Sequence, residues 1–174
     1  LPSYYSKKEL VKLIEHHEDS KHKVIDTDEE RILKGALSFS DKTVGNIMTP
    51  IDRVFTIPHD FIIDSETVRH ISDSGRSRIP VYKENVNEIV GILYAKDFVR
   101  TNHYGKIAEE AARKNVICVQ HNQKLDEVLN KFKKSRNHLF IVKDDLGNFM
   151  GLVTIEDILE EIIGEEIDDE FDKK

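Results

Sequence analysis

The feature that most constrains this chain is an internal duplication. His59 falls on His121 at an offset of 62, and Arg76 falls on Arg136 at an offset of 60. At the second spacing Gly91 also falls on Gly151, and Asp97 on Asp157. A two-residue deletion in the intervening helix accounts for the change. The chain therefore reads as two copies of one unit, since self-similarity at a fixed spacing marks a repeated structural element.

Each copy reads β-α-β-β-α, so the expected fold class is α/β. In the first copy, 52–57 is a strand stopped by Pro58 and 65–73 a helix with Val68 and Ile71 inward. Residues 78–82 form a strand whose Pro80 sits near its start, where a missing amide is easiest to tolerate. A strand at 88–94 then runs into a helix at 95–100. In the second copy the strands are 116–119, 138–142 and 149–153, the helices 125–133 and 155–163, and the turn lies at 145–148.

The residues in front read as two helices. Ser6 with Glu9, and Thr27 with Glu30, are capping-box pairs in which each side chain satisfies an orphan amide at the helix start. Leu10, Leu13, Ile14 and His17 share one face of the first helix; Leu33, Ala36 and Leu37 follow at helical spacing in the second. The polar stretch 16–26 connects them. The expected division is a helical linker at 1–43, a first repeat at 44–102, a second at 103–164 and an acidic tail at 165–174.

With 174 residues, 39% apolar and 34% charged, the chain can build a core and remain well solvated. The net charge of −7 argues against nucleic acid as the main ligand, because wrapping phosphates takes a basic stripe. The single cysteine, Cys118, allows no internal disulfide and no thiolate zinc cage, which fits a reducing compartment. No apolar run approaches the roughly 20 residues that span a bilayer, and no signal peptide opens the chain. The expected class is a soluble, acidic, intracellular chain.

Catalytic motifs are missing. There is no phosphate loop of the Gly-x-x-x-x-Gly-Lys type, no dinucleotide loop and no Gly-x-Ser-x-Gly elbow. Cys118 falls in an expected strand, where burial would make it inert. The expectation is that the chain is not an enzyme. His16 and His17 carry no ligand at i+4, and adjacent histidines on a helix diverge by about 100°, so no direct metal site is expected at His16, His17 and His22. The acidic end, from Glu160 and Glu161 through Glu165, Glu166, Asp168, Asp169, Glu170 and Asp172, reads as a solvated helix end or as loose Mg²⁺ association.

Each repeat closes on a glycine, five residues and an aspartate entering a helix: Gly151 to Asp157, with Thr154 at the fourth position, and Gly91 to Asp97, with Tyr94 there. On these residues the chain resembles the CBS domain, which occurs in tandem pairs called Bateman modules that commonly bind adenosine nucleotides between the repeats. Residues 41–50 with Met48-Thr49-Pro50, 77–82 with Ser77-Arg78-Ile79-Pro80, and 151–163 narrow the resemblance. So do the leading helices, with Val24-Ile25-Asp26 and the run 32–37. Together they are similar to the CNNM/CorC family of magnesium and cobalt transport proteins.

That resemblance implies a tandem CBS pair behind a helical linker. It also implies a position on the cytoplasmic side of a membrane, as a soluble regulatory fragment coupled to a membrane domain. It further implies a homodimer and one adenine nucleotide per chain between the repeats, with Mg²⁺-ATP favoured over ADP or AMP. Mg²⁺ would be held through the phosphates and not by the protein. Nucleotide binding would be coupled to dimer conformation and ion transport. The alternatives are an AMP sensor, or a dimerisation and interaction module that binds no nucleotide.

By the same resemblance Thr49, Ile51, Ser77, Arg78, Pro80, Leu152, Thr154 and Asp157 converge on one site. The chemistry is suitable. A carboxylate such as Asp157 can accept both ribose hydroxyls with charge assistance. A helix start with Thr154 can meet a phosphate, and Arg78 supplies a cation. Ile51, Ile79 and Leu152 can sandwich adenine. Plainer readings stand beside these: Thr154 with Asp157 as a helix cap, Arg78 as an ion-pair partner, Pro80 as a strand start. The mirror site, with Asp97 and His138, is expected to be degenerate, because Tyr94 replaces the hydroxyl and Phe140 replaces Pro80. In some animal members a long loop of the second repeat docks the phosphatase of regenerating liver. Here 144–148 is short, so that partner is not expected.

Overall fold

The computed structural model describes residues 4–18, 25–100 and 103–164. Along the chain its helices are α1 (Lys7–Glu18), α2 (Thr27–Ser38), α3 (Val44–Ile47), α4 (Ser65–Asp73), α5 (Ala95–Arg100), α6 (Ala108–Ala111), α7 (Leu125–Lys134) and α8 (Ile155–Ile163). Its strands are β1 (Thr49–Pro50), β2 (Ile57–Pro58), β3 (Arg78–Tyr82), β4 (Ile89–Tyr94), β5 (Cys118–Gln120), β6 (Leu139–Lys143) and β7 (Phe149–Thr154).

The repeats build two sheets, ordered β2-β3-β4 and β1-β7-β6-β5. In each, one parallel pair precedes one antiparallel pair: β2 beside β3 and β3 against β4, then β5 beside β6 and β6 against β7. The extra strand β1 comes from the opening of the first repeat and completes the sheet of the second, Thr49 lying opposite Leu152 and Pro50 opposite Gly151. Just before it, Val44 N–H donates to Gln123 O at 2.9 Å and Gly45 N–H to His121 O at 2.7 Å. The opening segment of the second repeat returns the exchange. Ala108 N–H donates to Phe61 O at 2.8 Å, and Ile92 and Arg113 trade backbone bonds of 3.0 and 2.9 Å. Elements as short as β1 and α6 carry no periodicity in the sequence, so neither was expected.

Each repeat keeps its own core, Ile57, Ile71, Ile79, Val81 and Leu93 in the first and Leu125, Val128, Phe140, Val153 and Ile158 in the second. A third cluster, Ile92, Leu139, Ile141 and Phe149, lies where the sheets face one another and makes one body of the two repeats. Each such fully buried aliphatic or aromatic side chain contributes about 2 kcal/mol of transfer free energy.

Several expectations are corrected. The strand expected over 52–57 is instead a 3₁₀ turn over Ile51–Arg53, closed by Val54 N–H on Ile51 O at 3.1 Å, then three residues without regular structure, with pairing only at Ile57–Pro58. That turn carries the chain from one sheet to the other. Cys118 is exposed and not buried, because on this edge strand only Val119 faces inward. The box opening α2 is Asp26 with Glu29: Glu29 N–H donates to Asp26 Oδ1 at 2.8 Å and Asp26 N–H to Glu29 Oε2 at 3.0 Å. A carboxylate at the positive end of a helix accepts more strongly than the Thr27 hydroxyl would, and Glu30 is instead buried and paired with Lys34. The Ser6–Glu9 box forms as expected. α1 runs on to Glu18, so the connection starts later than 16.

The face of α2 that packs is also not the apolar one. Leu33 is 41% exposed, whereas Gly35 lies so close to α8 that a Cβ there would sit 2.1 Å from Ile162 O. Arg31 Nε donates to Ile163 O at 2.8 Å across the same crossing. A side-chain-free position lets the two helix backbones touch, which no hydrophobic pattern reveals.

Candidate functional site

β7 runs directly into α8, and Thr154 caps the junction. Thr154 N–H and Oγ1 donate to Asp157 Oδ2 at 2.6 and 2.8 Å, and Asp157 N–H donates back to Thr154 Oγ1 at 3.2 Å. The Thr-x-x-Asp pair is thus a helix cap, but the cap uses Oδ2 alone and leaves Oδ1 out. Burial pushes the Asp157 carboxyl above its ordinary value, although the two Thr154 bonds pull the other way. The described residues place no cation on it.

Opposite this junction, β1 crosses β7 closely. A Cβ on Gly151 would sit 2.1 Å from Thr49 O, so the crossing requires glycine. Thr49 lies across from Leu152, and Ile51 follows in the 3₁₀ turn, 38% exposed. Arg76 Nη2 donates to Arg53 O at 3.4 Å, which ties that turn to the start of β3, where Ser77 and Arg78 follow. Arg78 Nη1 then lies 3.7 Å from Glu156 Oε1 on α8. The contacts close a ring through both repeats: β1, β7, the α8 start, Arg78, Arg76 and the 3₁₀ turn.

Between the repeats this ring brings together Thr49 and Leu152 across the β1–β7 pairing, Thr154 and Asp157 at the α8 start and Arg78 against Glu156, with Ile51 in the 3₁₀ turn and Ser77 next to Arg78. Pro80 is buried opposite Ile92, behind Arg78 on the same face of β3. Ile79 is a correction. Alternation along the strand turns it to the other face, where it is fully buried in the first repeat's core and cannot reach adenine.

Two polar atoms at the cleft are buried without a hydrogen-bond partner, Arg78 Nε and Glu156 Oε2. Leaving such a group unsatisfied costs about 1–3 kcal/mol. A free guanidinium N–H suits an anion, and an ionised carboxylate near a helix start suits a vicinal diol. The residues present therefore fit a nucleoside phosphate.

The mirror cleft is built differently. Arg113 Nε and Nη2 donate to the two oxygens of Asp97 at 2.9 and 2.7 Å, and its guanidinium lies 4.2 Å from the Tyr94 ring centre. The Arg113 hydrogen bonds hold the Asp97 carboxyl below its ordinary value. His138 is exposed, and its carbonyl accepts from Ile155 N–H at 3.2 Å. Glu156 and Arg113 were missed from sequence. The available signal for Arg113 was its register: it stands opposite Ile92 as Thr49 stands opposite Leu152.

Among the described residues no group of three or more His, Cys, Asp or Glu is placed to hold a metal ion. His22, the His17 side chain and the acidic stretch 165–174 lie outside them. No helix among the described residues is long and apolar enough to cross a membrane.

A family profile described as the CBS domain matches residues 108–164. The magnesium and cobalt efflux protein CorC of Salmonella typhimurium is 37% identical over 169 residues, covering 95% of this chain and 56% of that protein. The chain thus spans about half the length of the curated relatives it matches. Among solved structures, the CBS domain of the bacterial CNNM/CorC family Mg²⁺ transporter superposes with a TM-score of 0.81 at 30% identity, over 95% of this chain and 100% of that one. The same domain in complex with ATP gives 0.73 at 30% identity, over 79% and 98%. A CBS-domain pair with bound AMP from Klebsiella pneumoniae gives 0.59 at 30% identity, over 70% and 98%.

Proposed function

The chain belongs to the CNNM/CorC family of CBS-domain modules, and from that premise we propose that it is a regulatory unit that reads an adenine nucleotide in the cleft between its repeats. The observation that carries this is the pairing of Arg78, from the first repeat, with the α8 start of the second, beside a carboxylate that burial holds above its ordinary value. Asp157 takes the ribose hydroxyls, Arg78 and the Thr154 turn take the phosphates, and Ile51 and Leu152 flank the base. Ser77 and Thr49 complete the polar rim, and Pro80 backs it.

Mg²⁺-ATP is the favoured ligand. Arg78 already faces Glu156, so a bare triphosphate meets a negative neighbour that Mg²⁺ would offset. Mg²⁺ comes with the phosphates and needs no direct protein ligand. In this reading the chain divides into a linker at 1–43, repeats at 44–102 and 103–164 and a tail at 165–174. In the parent protein the module sits on the cytoplasmic side of a membrane, forms a homodimer, and passes the state of its cleft through α8 and α2 to a membrane domain that moves magnesium. It regulates and does not turn the nucleotide over. A ligand shifts such an equilibrium only by its differential affinity for the two states.

Equilibrium titration of the chain with Mg²⁺-ATP, beside Asp157→Ala, tests the reading. Saturable binding near one per chain, lost in the variant, supports it. Equal binding by the variant overturns it, and no binding by the parent chain leaves a nucleotide-independent interaction module.

A further inference from the structure

The pseudo-twofold relation of the repeats gives the chain a second cleft, bounded by β4, the α5 start and the segment that enters the second repeat. The crossing is reproduced there. Ile92 and Arg113 exchange backbone bonds as an antiparallel bridge. Gly91 keeps that crossing close, since a Cβ would lie 2.7 Å from Ala112 Cβ and 3.2 Å from Arg113 O. Arg113 therefore holds in this cleft the place that Thr49 holds in the first, and Asp97 the place of Asp157.

We infer that Arg113 is a built-in occupant of this second cleft, closing it to nucleotide and fixing the module at one ligand per chain. This deepens the nucleotide reading and rests on it. The Arg113 guanidinium makes a two-pronged contact with both Asp97 oxygens, the geometry in which a carboxylate would otherwise receive two ribose hydroxyls. Its planar face lies against Tyr94, which holds the group in place from the third side. In the first cleft Asp157 carries no cation and retains an oxygen outside its cap. The two carboxylates occupy equivalent positions, but the cation of the chain itself satisfies one and leaves the other to a ligand. The duplicated motif therefore yields one working site because a neighbouring segment fills the other, and Asp97 has become part of the closure.

Binding stoichiometry, measured by calorimetry with Mg²⁺-ATP on four proteins, tests this. They are the parent chain, Tyr94→Thr, Arg113→Thr, and the double variant, which restores in the second cleft the two threonines of the first. Tyr94→Thr keeps the Arg113–Asp97 pair and is expected to stay at one ligand per chain, whereas the double variant is expected to reach two. Where the parent chain binds one ligand, two on Tyr94→Thr or one on the double variant overturns the inference. No binding by the parent chain but one ligand on the double variant supports the closure while refuting the nucleotide reading of the first cleft. No binding by any of them refutes both. Retention of the first-cleft affinity in the double variant serves as its folding control. If that variant does not fold, the parent chain decides by NMR: saturating nucleotide leaves the Arg113 Nε–H and Asp97 carboxyl signals unmoved if the pair stays closed, and displaces both if it does not.

Discussion

Arg78 of the first repeat lies 3.7 Å from Glu156 of the second, and each keeps one buried polar atom without a partner. This ion pair spans the cleft, so a phosphate arriving there competes with Glu156 for the same guanidinium. Hydrogen bonds to a charged group are worth about 1.5–3 kcal/mol. Arg78→Ala should therefore weaken ATP binding by ten- to a hundredfold in calorimetry. Glu156→Gln, which removes the competitor and keeps the shape, should tighten binding of Mg²⁺-free ATP. Weaker binding in Glu156→Gln would show that the carboxylate acts with the ligand and not against it.

Asp157 joins function to a cost in stability. Burial raises its carboxyl, so ionising it costs more in the fold than in the unfolded chain, and its contribution declines as pH rises from the unfolded value through the folded one. Asp157→Asn retains an oxygen for the Thr154 cap without the buried charge. It should stabilise the free chain at neutral pH by about 0.5–1 kcal/mol while losing nucleotide binding. A chemical denaturation series checks the first part and a titration the second; destabilisation would mean that the charge serves the cap.

Asp97 has the opposite sign. Its carboxyl is lowered by Arg113, so the pair stabilises the fold above the unfolded carboxylate range, and that contribution is lost as pH falls through the folded value. Arg113 is half exposed, which limits the pair to less than about 1 kcal/mol. Arg113→Thr should reduce stability at pH 7 and reduce it less at acid pH, as the Asp97 carboxyl takes up its proton. An equal loss at both pH values would assign the effect to packing on Tyr94 alone.

Gly35 is the contact through which the α8 helix meets the leading helices. Its added Cβ would meet Ile162 O at 2.1 Å, a backbone atom that cannot swing aside. Gly35→Ala should cost about 1–3 kcal/mol, as overpacking does, and detach α2 from α8. Hydrogen exchange checks this: α2 amides should lose protection while β7 amides keep theirs.

Much of the fold was legible because its long elements carry periodicity. α4, α7 and α8 lie within a residue of where apolar spacing put them, and β3 matches in full. The exchanged segments were not legible, since β1 has two residues and its partner, β7, is a hundred positions away in sequence. At the candidate site, the helix cap of Thr154 and Asp157 could be read because the two sit at a fixed spacing at a helix start. The contacts of Glu156 and Arg113 could not, because they come from which segment lies opposite. Ile79 was misplaced for a related reason: it adjoins Arg78 in sequence but faces the other side of the strand.

Isothermal titration of the chain with ATP, ADP and AMP, each with and without Mg²⁺, tests the central claim most directly. The expected result is one site per chain, with ATP bound most tightly and only in the presence of Mg²⁺. Equal or tighter binding of AMP without Mg²⁺ would contradict the preference, and no heat from any of the three would contradict the nucleotide cleft itself.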